Sequence, residues 1–264
     1  MQEKIAFVAI CGIIKFLNSY KEFLVRTITV IRTLFSRFML LFVIALFIVP
    51  FLIIAVIPQR VRVNSRLVYR TIQIFYWLLL RVTLIPIYYK GLENLADDPA
   101  IIVANHQSSL DIPLIGTLMK SKLHMWFARS ELLRSWFLRY LVPVFAVIVD
   151  VNSVRSAARS LFRIIKIVRH TGGNLIIFPE GARYADGQIH EFFGGFVILA
   201  KKLQRPVVPV RIFGANVVYP LGAFFIGWHP ITLVIGKPMW IEDGESVDTF
   251  KERVRQWFIE QKAE

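Results

Sequence analysis

The segment from residue 101 to residue 111 reads Ile101-Ile-Val-Ala-Asn-His-Gln-Ser-Ser-Leu-Asp111. Its first four residues are apolar and mostly β-branched, which predicts a buried strand. The polar residues that follow predict a turn into a helix. Ligands bind at such strand-to-helix turns in open α/β sheets, so this segment indicates both a fold class and a candidate site.

Beyond residue 91 the chain alternates short β-branched runs with longer helical patterns. Strands are predicted at 100–104, 124–128, 145–150, 175–178, 207–212 and 231–235. Helices are predicted at 109–119, 131–141, 154–170, 193–203 and 247–262. This alternation predicts an α/β fold with a largely parallel sheet flanked by helices.

The first 90 residues differ from the rest in charge. They carry 12 basic and 2 acidic side chains, whereas residues 91–264 carry 20 and 16. The whole chain is 56% hydrophobic with a mean hydropathy of +0.56, which excludes a disordered protein and is unusual for a soluble one. We therefore predict a basic, apolar, helical membrane-anchoring module at 1–90 and an α/β domain at 91–264.

An uncharged run of 22 residues, 38–59, lies between Arg37 and Arg60. As a helix it would be about 33 Å long, enough to cross a hydrocarbon core of about 30 Å. Pro50 would kink this helix or divide it into two half-spans. Because both flanks are basic, the positive-inside rule selects neither side, and a hairpin that dips in and returns would place both flanks on the cytoplasmic face.

Two further apolar segments flank this run. Residues 5–34 predict an amphipathic helix on the membrane surface, and residues 72–89 predict an interfacial or membrane-dipping helix. A buried core helix is the alternative for the whole module. Since the positive charges flank apolar runs and form no polar stripe, membrane lipids are the expected partner and nucleic acid is not.

The turn after the first strand carries a candidate catalytic pair. His106 is a natural general base near neutral pH. Asp111, five residues later, can fold back through the first helical turn, bond the other ring nitrogen and fix the tautomer. The alternative is a capped helix start, in which Ser108 or Ser109 is the N-cap and His106 has no chemical role.

A second cluster, Phe178-Pro-Glu-Gly-Ala-Arg183, also follows a predicted strand. Gly181 lets backbone amides approach an anion closely, and the Arg183 guanidinium suits a phosphate or carboxylate. We interpret Glu180 as a residue that positions Arg183 or a substrate hydroxyl. The alternative is a tight turn with a surface ion pair. Because both clusters follow strands, we expect them at the same sheet edge.

No metal and no cofactor is expected. The single cysteine, Cys11, excludes an intramolecular disulfide framework and a cysteine-based zinc site. The other histidines have no partner at metal-ligand spacing, and the sequence contains no Gly-rich phosphate loop or dinucleotide fingerprint.

Four sequence blocks, in order, resemble those of the glycerolipid acyltransferase family. Asn105-His-Gln-Ser-Ser-Leu-Asp111 resembles the family's NHxxxxD signature, and Phe178-Pro-Glu-Gly-Ala-Arg183 resembles its FPEGTR motif with Ala182 in place of Thr. Arg129-Ser-Glu-Leu132 is similar to the block between them, and Val207-Val-Pro-Val210 to a later VPV block. The resemblance extends over residues 90–215.

This resemblance implies a membrane-bound enzyme of phospholipid biosynthesis. It would move a fatty acyl group from acyl-CoA or acyl carrier protein to the sn-2 hydroxyl of a lyso-lipid acceptor, 1-acyl-glycerol-3-phosphate, giving phosphatidic acid. His106 would be the general base, and Asp111 would orient it. We expect the location to be a bacterial inner membrane with the site facing the cytoplasm, or alternatively an endoplasmic-reticulum membrane.

The remaining motif residues receive roles from the same resemblance. The acceptor phosphate would be bound by Glu180, Gly181, Arg183 and Arg129. The motifs would be supported by Asn105, Pro179 and Pro209.

Three departures from the family pattern leave the acceptor open. The chain has Trp136 and Arg139 where Pro and Gly are common, Asp150-Val151 where Asp-Arg is usual, and Phe192-Phe-Gly-Gly195 where Lys-Gly is usual. Fewer cations favour a less charged acceptor, such as a lyso-ornithine lipid or another lysophospholipid. A hypothesis of another class is a catalytically silent membrane protein that binds anionic lipid.

Overall fold

The computed structural model describes residues 2–95, 98–134, 139, 142, 146–149, 154–184 and 186–262. Within these residues, strands form one sheet in the order β1-β7-β6-β2-β5-β3-β4. Their bounds are β1 Ile87–Lys90, β2 Ile101–Ala104, β3 His124–Arg129, β4 Ala146–Val149, β5 Asn174–Ile177, β6 Val207–Phe213 and β7 Ile231–Ile235. Neighbouring strands are parallel except β6 and β7. The predicted α/β class with a largely parallel sheet is confirmed.

Helices cover both faces of this sheet. Their bounds are α1 Gln2–Val56, α2 Gln59–Arg62, α3 Arg66–Arg81, α4 Asp111–Leu118, α5 Val154–Thr171, α6 Gly195–Leu203, α7 Ala215–Val218 and α8 Val247–Glu260. Side chains alternate along β2, so Ile102 packs with α4 on one face while Ile101 packs with α5, α6 and α8 on the other. The predicted helix at 131–141 begins as a 3-10 turn at Ser130–Arg134, and most of its remainder lies outside the described residues.

The N-terminal helix is continuous through Pro50. The alternative of two half-spans divided at Pro50 is therefore wrong. Residues 5–34 are helical as predicted but belong to this same helix, and their position on the membrane surface stays a prediction. A proline removes one backbone N–H, and the apolar turns on both sides keep the remaining helix bonds. The helix ends at Val56, just before Pro58, which is the N-cap of α2. Its segment Leu17–Val56 contains an 18-residue window with a mean hydropathy of 3.2 and is long and apolar enough to cross a bilayer.

Helix α1 contacts the rest of the chain at two separated places. Near its middle, the Thr33 hydroxyl accepts a hydrogen bond from the Ile226 amide at 3.2 Å. Towards its end, the rings of Phe51 and Phe75 meet edge to face at 4.9 Å, which joins α1 to α3. Helix α3 in turn packs against α4, where Gln73 donates to the Thr117 carbonyl at 2.9 Å. The α1–α3 pair is thus attached to one face of the α/β domain.

The sheet begins earlier than the predicted domain boundary. Strand β1 is parallel to β7, with Ile87 opposite Ile231. The prediction that an interfacial helix extends over 72–89 is therefore wrong for its last residues, since α3 ends at Arg81 and Pro86 precedes an extended edge strand. The division into an anchoring module and an α/β domain stays a prediction, with its boundary moved to before Ile87.

Candidate active site

The two predicted catalytic residues are in contact. His106 Nδ1 lies 2.8 Å from Asp111 Oδ2, and the Asp111 side chain is fully buried while His106 is 16% exposed. The same carboxylate oxygen accepts the backbone N–H groups of Gln107 at 2.6 Å and Ser108 at 2.8 Å. Because this oxygen acts as an acceptor for both amides, its contact with the ring assigns the imidazole proton to Nδ1 and the lone pair to Nε2. This is the arrangement of an oriented general base.

The serines do not cap helix α4. Its N-cap is Leu110, which makes no side-chain cap. The Ser108 hydroxyl donates instead to the Tyr219 carbonyl at 2.7 Å. The Ser109 hydroxyl accepts a bond from Arg183 at 2.7 Å. The predicted serine cap of this helix is therefore wrong, whereas the chemical role of His106 stays a prediction.

Asn105 joins β2 to β6 beyond the last paired residues. It is fully buried, its Nδ2 donates to the Ile212 carbonyl at 3.0 Å, and its Oδ1 accepts the Ile212 amide at 2.7 Å. The backbone pairing of β2 with β6 ends at Ala104 and Val210. The Asn105 side chain therefore makes the two hydrogen bonds to β6 that a further backbone pair would have made. The backbone is then free to turn, which brings His106 to the sheet edge.

Glu180 holds backbone groups of the site. It is 2% exposed, and its Oε1 accepts the His106 amide at 3.1 Å while its Oε2 accepts the His190 amide at 3.3 Å. Burial raises the pKa of the Glu180 carboxyl, and the two N–H donors partly offset that rise. Since Arg183 bonds Ser109, the interpretation that Glu180 positions Arg183 is wrong. The carboxylate positions the backbone of His106.

The loop after β5 makes a sharp turn next to this pair. Gly181 has φ +69°, and a Cβ there would lie 2.7 Å from the Phe193 ring, so glycine is required. The Pro179 carbonyl accepts the Phe193 amide at 2.9 Å, which closes the loop. Arg183 follows, and its guanidinium reaches Ser109, which lies two residues before α4. The expectation that both motifs share one sheet edge is met by these contacts.

Five positions singled out in the sequence lie away from the catalytic pair or, in whole or in part, outside the described residues. Pro209 lies inside β6 opposite Val103, at a distance from the strand end. The Arg129 backbone ends β3, but its side chain is outside the described residues, as are Trp136, Asp150 and Val151. Their predicted roles stay predictions.

Sequence reasoning gave no role to several residues that hold the histidine. The His106 ring lies flat on the Phe178 ring, with centroids 4.0 Å apart and planes inclined by 8°. The Tyr184 amide donates to the His106 carbonyl at 2.9 Å. Phe178 could have been identified from the sequence, because it is the first residue of the second motif. Tyr184 could not, because it contacts His106 through its backbone amide, and such a contact does not require a particular side chain.

Comparison with known proteins finds similarity to acyltransferases. A family model described as acyltransferase matches residues 86–213. A chloroplastic 1-acyl-sn-glycerol-3-phosphate acyltransferase of Brassica napus is 28% identical over 193 residues, 68% of this chain and 52% of the relative. A probable 1-acyl-sn-glycerol-3-phosphate acyltransferase of Mycoplasma pneumoniae is 31% identical over 170 residues, 60% of this chain and 58% of the relative. This chain thus spans little more than half the length of these two curated relatives.

The fold has a match among solved structures. The crystal structure of the 1-acyl-sn-glycerophosphate (LPA) acyltransferase from Thermotoga maritima aligns with a TM-score of 0.66 and 26% identity. The alignment covers 87% of this chain and 94% of that one. By its motifs, sheet and matches, the chain resembles the acyltransferase family. Within that family it is similar to the 1-acyl-sn-glycerol-3-phosphate acyltransferases, and its long apolar helix is consistent with membrane association.

Proposed function

We propose that this protein transfers a fatty acyl group from acyl-CoA or acyl carrier protein to the sn-2 hydroxyl of 1-acyl-glycerol-3-phosphate, giving phosphatidic acid for phospholipid biosynthesis. The observation that carries this proposal is the 2.8 Å contact of His106 with buried Asp111 at the end of β2. The names of the relatives support the choice of acceptor.

The proposed reaction needs one base and one already activated ester. His106 Nε2 takes the proton of the acceptor hydroxyl while its oxygen attacks the thioester carbonyl carbon. The tetrahedral intermediate collapses, the carbon–sulfur bond breaks, and the thiolate takes the proton back from the imidazolium. Asp111 stabilises that imidazolium and keeps its ring oriented. The products are the new ester and a free thiol.

Arg183 is the proposed contact for the acceptor phosphate. Its guanidinium bonds the Ser109 hydroxyl at 2.7 Å, close in sequence to both catalytic residues. A guanidinium presents several N–H donors in a planar fork, so it can bind a phosphate while keeping this contact. Gly181 lets the loop backbone come close to the same region.

We also propose that α1 lies along one face of the membrane and does not cross it. The α/β domain contacts α1 at Thr33 and, through α3, at Ile54. These positions are about 32 Å apart along a helix, close to the thickness of a hydrocarbon core. A crossing helix would draw the attached polar domain into the bilayer. A helix buried on one side keeps both basic flanks on the proposed cytoplasmic side of a bacterial inner membrane.

The proposed activity is tested by thiol release from acyl-CoA and from acyl carrier protein, with purified protein in detergent and 1-acyl-glycerol-3-phosphate as acceptor. We expect release that needs the acceptor and is abolished in His106→Ala. His170→Ala is the matched control, since His170 is exposed at the end of α5, and it should keep full activity. Full activity in His106→Ala would overturn the mechanism.

A second acceptor class is the alternative. The Phe192–Gly195 segment lacks the lysine usual in the family, which favours a less charged acceptor such as lyso-ornithine lipid or another lysophospholipid. A side-by-side panel of acceptors at equal concentration decides between them. Binding to anionic vesicles without thiol release from any donor and acceptor would instead support the silent lipid-binding protein.

A further inference from the structure

A continuous row of aromatic rings connects the apolar helix α1 with the candidate base. Each ring lies within contact distance of the next, although the rings come from α1, α3, β3 and the two motif loops. In order from the helix inward, the rings belong to Phe51, Phe75, Tyr76, Trp126, Phe178 and His106.

The inner end of the row determines the plane of the imidazole. The hydrogen bond to Asp111 fixes the position of Nδ1, but the ring can still tilt about that bond. Face-to-face contact with Phe178, at 4.0 Å and 8°, removes this freedom and therefore sets the direction of Nε2. Phe178 is itself backed by Trp126, whose ring centroid is 5.7 Å away at an inclination of 27°.

The strand register places these rings side by side. Trp126 is opposite Ile176 in the pairing of β3 with β5. Phe178 follows Ile176 by two residues, so its side chain leaves the same face of the sheet. Trp126 is 7% exposed and is therefore an internal part of the wall behind Phe178.

The middle of the row is fixed by a buried hydrogen bond. Trp126 Nε1 donates to the Tyr76 hydroxyl at 3.1 Å, and the two rings meet edge to face at 6.5 Å. Tyr76 also packs on α4, because a Cβ on Gly116 would lie 2.3 Å from its ring. Helix α4 begins with Asp111. Tyr76 thus touches both the tryptophan behind the histidine and the helix that carries the aspartate.

The outer end of the row joins the apolar helices. Phe75 is next to Tyr76 on α3 and packs against two rings of α1. It meets Phe51 edge to face, with centroids 4.9 Å apart, and it lies at a tilt to Phe47, with centroids 5.1 Å apart. A shift of α3 relative to the sheet therefore moves Tyr76 and the rings behind the base.

We propose that Trp126 is a positioning residue for the acyl transfer: held by Tyr76 of α3, it fixes the ring plane of His106 through Phe178. The apolar helices α1 and α3 thereby support the base through these rings, in addition to their proposed role as a membrane anchor. This inference rests on the proposed role of His106 as the general base.

The test compares two substitutions of Trp126 with a matched tryptophan elsewhere. Trp126→Leu removes the ring, and kcat should fall about tenfold or more with the KM of donor and acceptor within about twofold, because the base is misaligned but substrate contacts remain. Trp126→Phe retains a ring behind Phe178 and should recover most of that loss. Trp257→Leu on α8 is the control, since Trp257 packs on Phe258 at the opposite face of the sheet and its loss should leave kcat unchanged.

The outcomes separate this inference from the proposed function. If His106→Ala is inactive while Trp126→Leu keeps the wild-type kcat, the positioning role alone is overturned. If His106→Ala is active, the base assignment fails whatever Trp126 does. Equal losses of kcat in Trp126→Leu and Trp257→Leu would indicate a general effect on the fold and also overturn the positioning role.

A milder variant keeps the test decisive if Trp126→Leu does not fold. Tyr76→Phe retains the ring and removes only the hydroxyl that accepts the Trp126 N–H. We expect kcat to fall about threefold, again at constant KM, because a buried donor loses its partner and the tryptophan is less firmly held. An unchanged kcat in a folded Tyr76→Phe variant would contradict the proposal.

Discussion

Glu180 has a different task in the structure from the one that its motif suggests. Its two oxygens accept separate backbone N–H groups, one of them from His106 itself. A glutamine of the same shape offers one acceptor and one NH₂ group, so one backbone donor would face another donor. Substituting Glu180 by glutamine therefore tests whether its carboxylate positions the backbone of His106 or binds the substrate.

Glu180→Gln should lower kcat about tenfold while leaving the KM for the acceptor within about twofold, because the backbone of His106 shifts. Steady-state kinetics with varied acceptor measure both constants. Glu260→Gln, at the exposed end of α8, is the control and should be neutral. A raised acceptor KM at constant kcat would instead assign Glu180 to the acceptor.

His124 makes the stability of the fold dependent on pH. Burial lowers the pKa of His124 from 6.5 to about 4, although its ring bonds the Lys122 carbonyl at 2.9 Å. Between these two pH values the unfolded chain binds a proton at this position and the folded chain does not. The free energy of unfolding should therefore fall as the pH drops from 6.5 towards 4, by about 1.4 kcal/mol per pH unit.

His124→Asn tests this dependence, since asparagine retains an N–H donor and does not titrate. Denaturation in detergent at pH 7.5 and pH 5 should show a smaller acid-induced loss in the variant than in the wild type. Carboxyl groups contribute equally to both proteins, so their effect cancels in the difference. Equal losses would refute the contribution of His124.

At the scale of elements, the contact between α3 and α4 depends on one glycine. Gly116→Ala would place a Cβ 2.3 Å from the Tyr76 ring, so the two helices must move apart. We expect a loss of about 1–3 kcal/mol in the free energy of unfolding, together with a lower kcat. Gly195→Ala on α6 is the matched control, because nothing lies within 4 Å of its added Cβ.

Chemical denaturation followed by tryptophan fluorescence measures both glycine variants. The stability of Gly195→Ala should stay within about 1 kcal/mol of the wild type. If Gly116→Ala is equally harmless, α3 is less tightly packed on α4 than the structure indicates, and the support for Asp111 must come from elsewhere.

At the scale of the whole molecule, the proposed membrane placement puts every basic flank on one side. In a Cys11→Ser background, single cysteines at Lys21→Cys, Asn64→Cys and Asp243→Cys probe the two flanks of the apolar run and the α/β domain, all at exposed positions. A membrane-impermeant maleimide should label all three from the same side of sealed vesicles. Labelling of Lys21→Cys and Asn64→Cys from opposite sides would show that α1 crosses the bilayer.

The sequence by itself determined the α/β class, both motif turns and the pairing of His106 with Asp111. These features are local: hydrophobic periodicity predicts each strand and helix, and a spacing of five residues across a strand-to-helix turn brings the pair within reach. The relation of the blocks to the acyltransferase family was likewise visible in the residues.

Tertiary structure alone decided how that pair is held. The contacts of Asn105 with Ile212, of Glu180 with two backbone amides and of Trp126 with Tyr76 join residues far apart in the chain. No periodicity or spacing encodes them. The same holds for the uninterrupted helix at Pro50, where packing and neighbouring apolar turns outweigh a local breaker, and for β1, which is a strand because β7 is beside it.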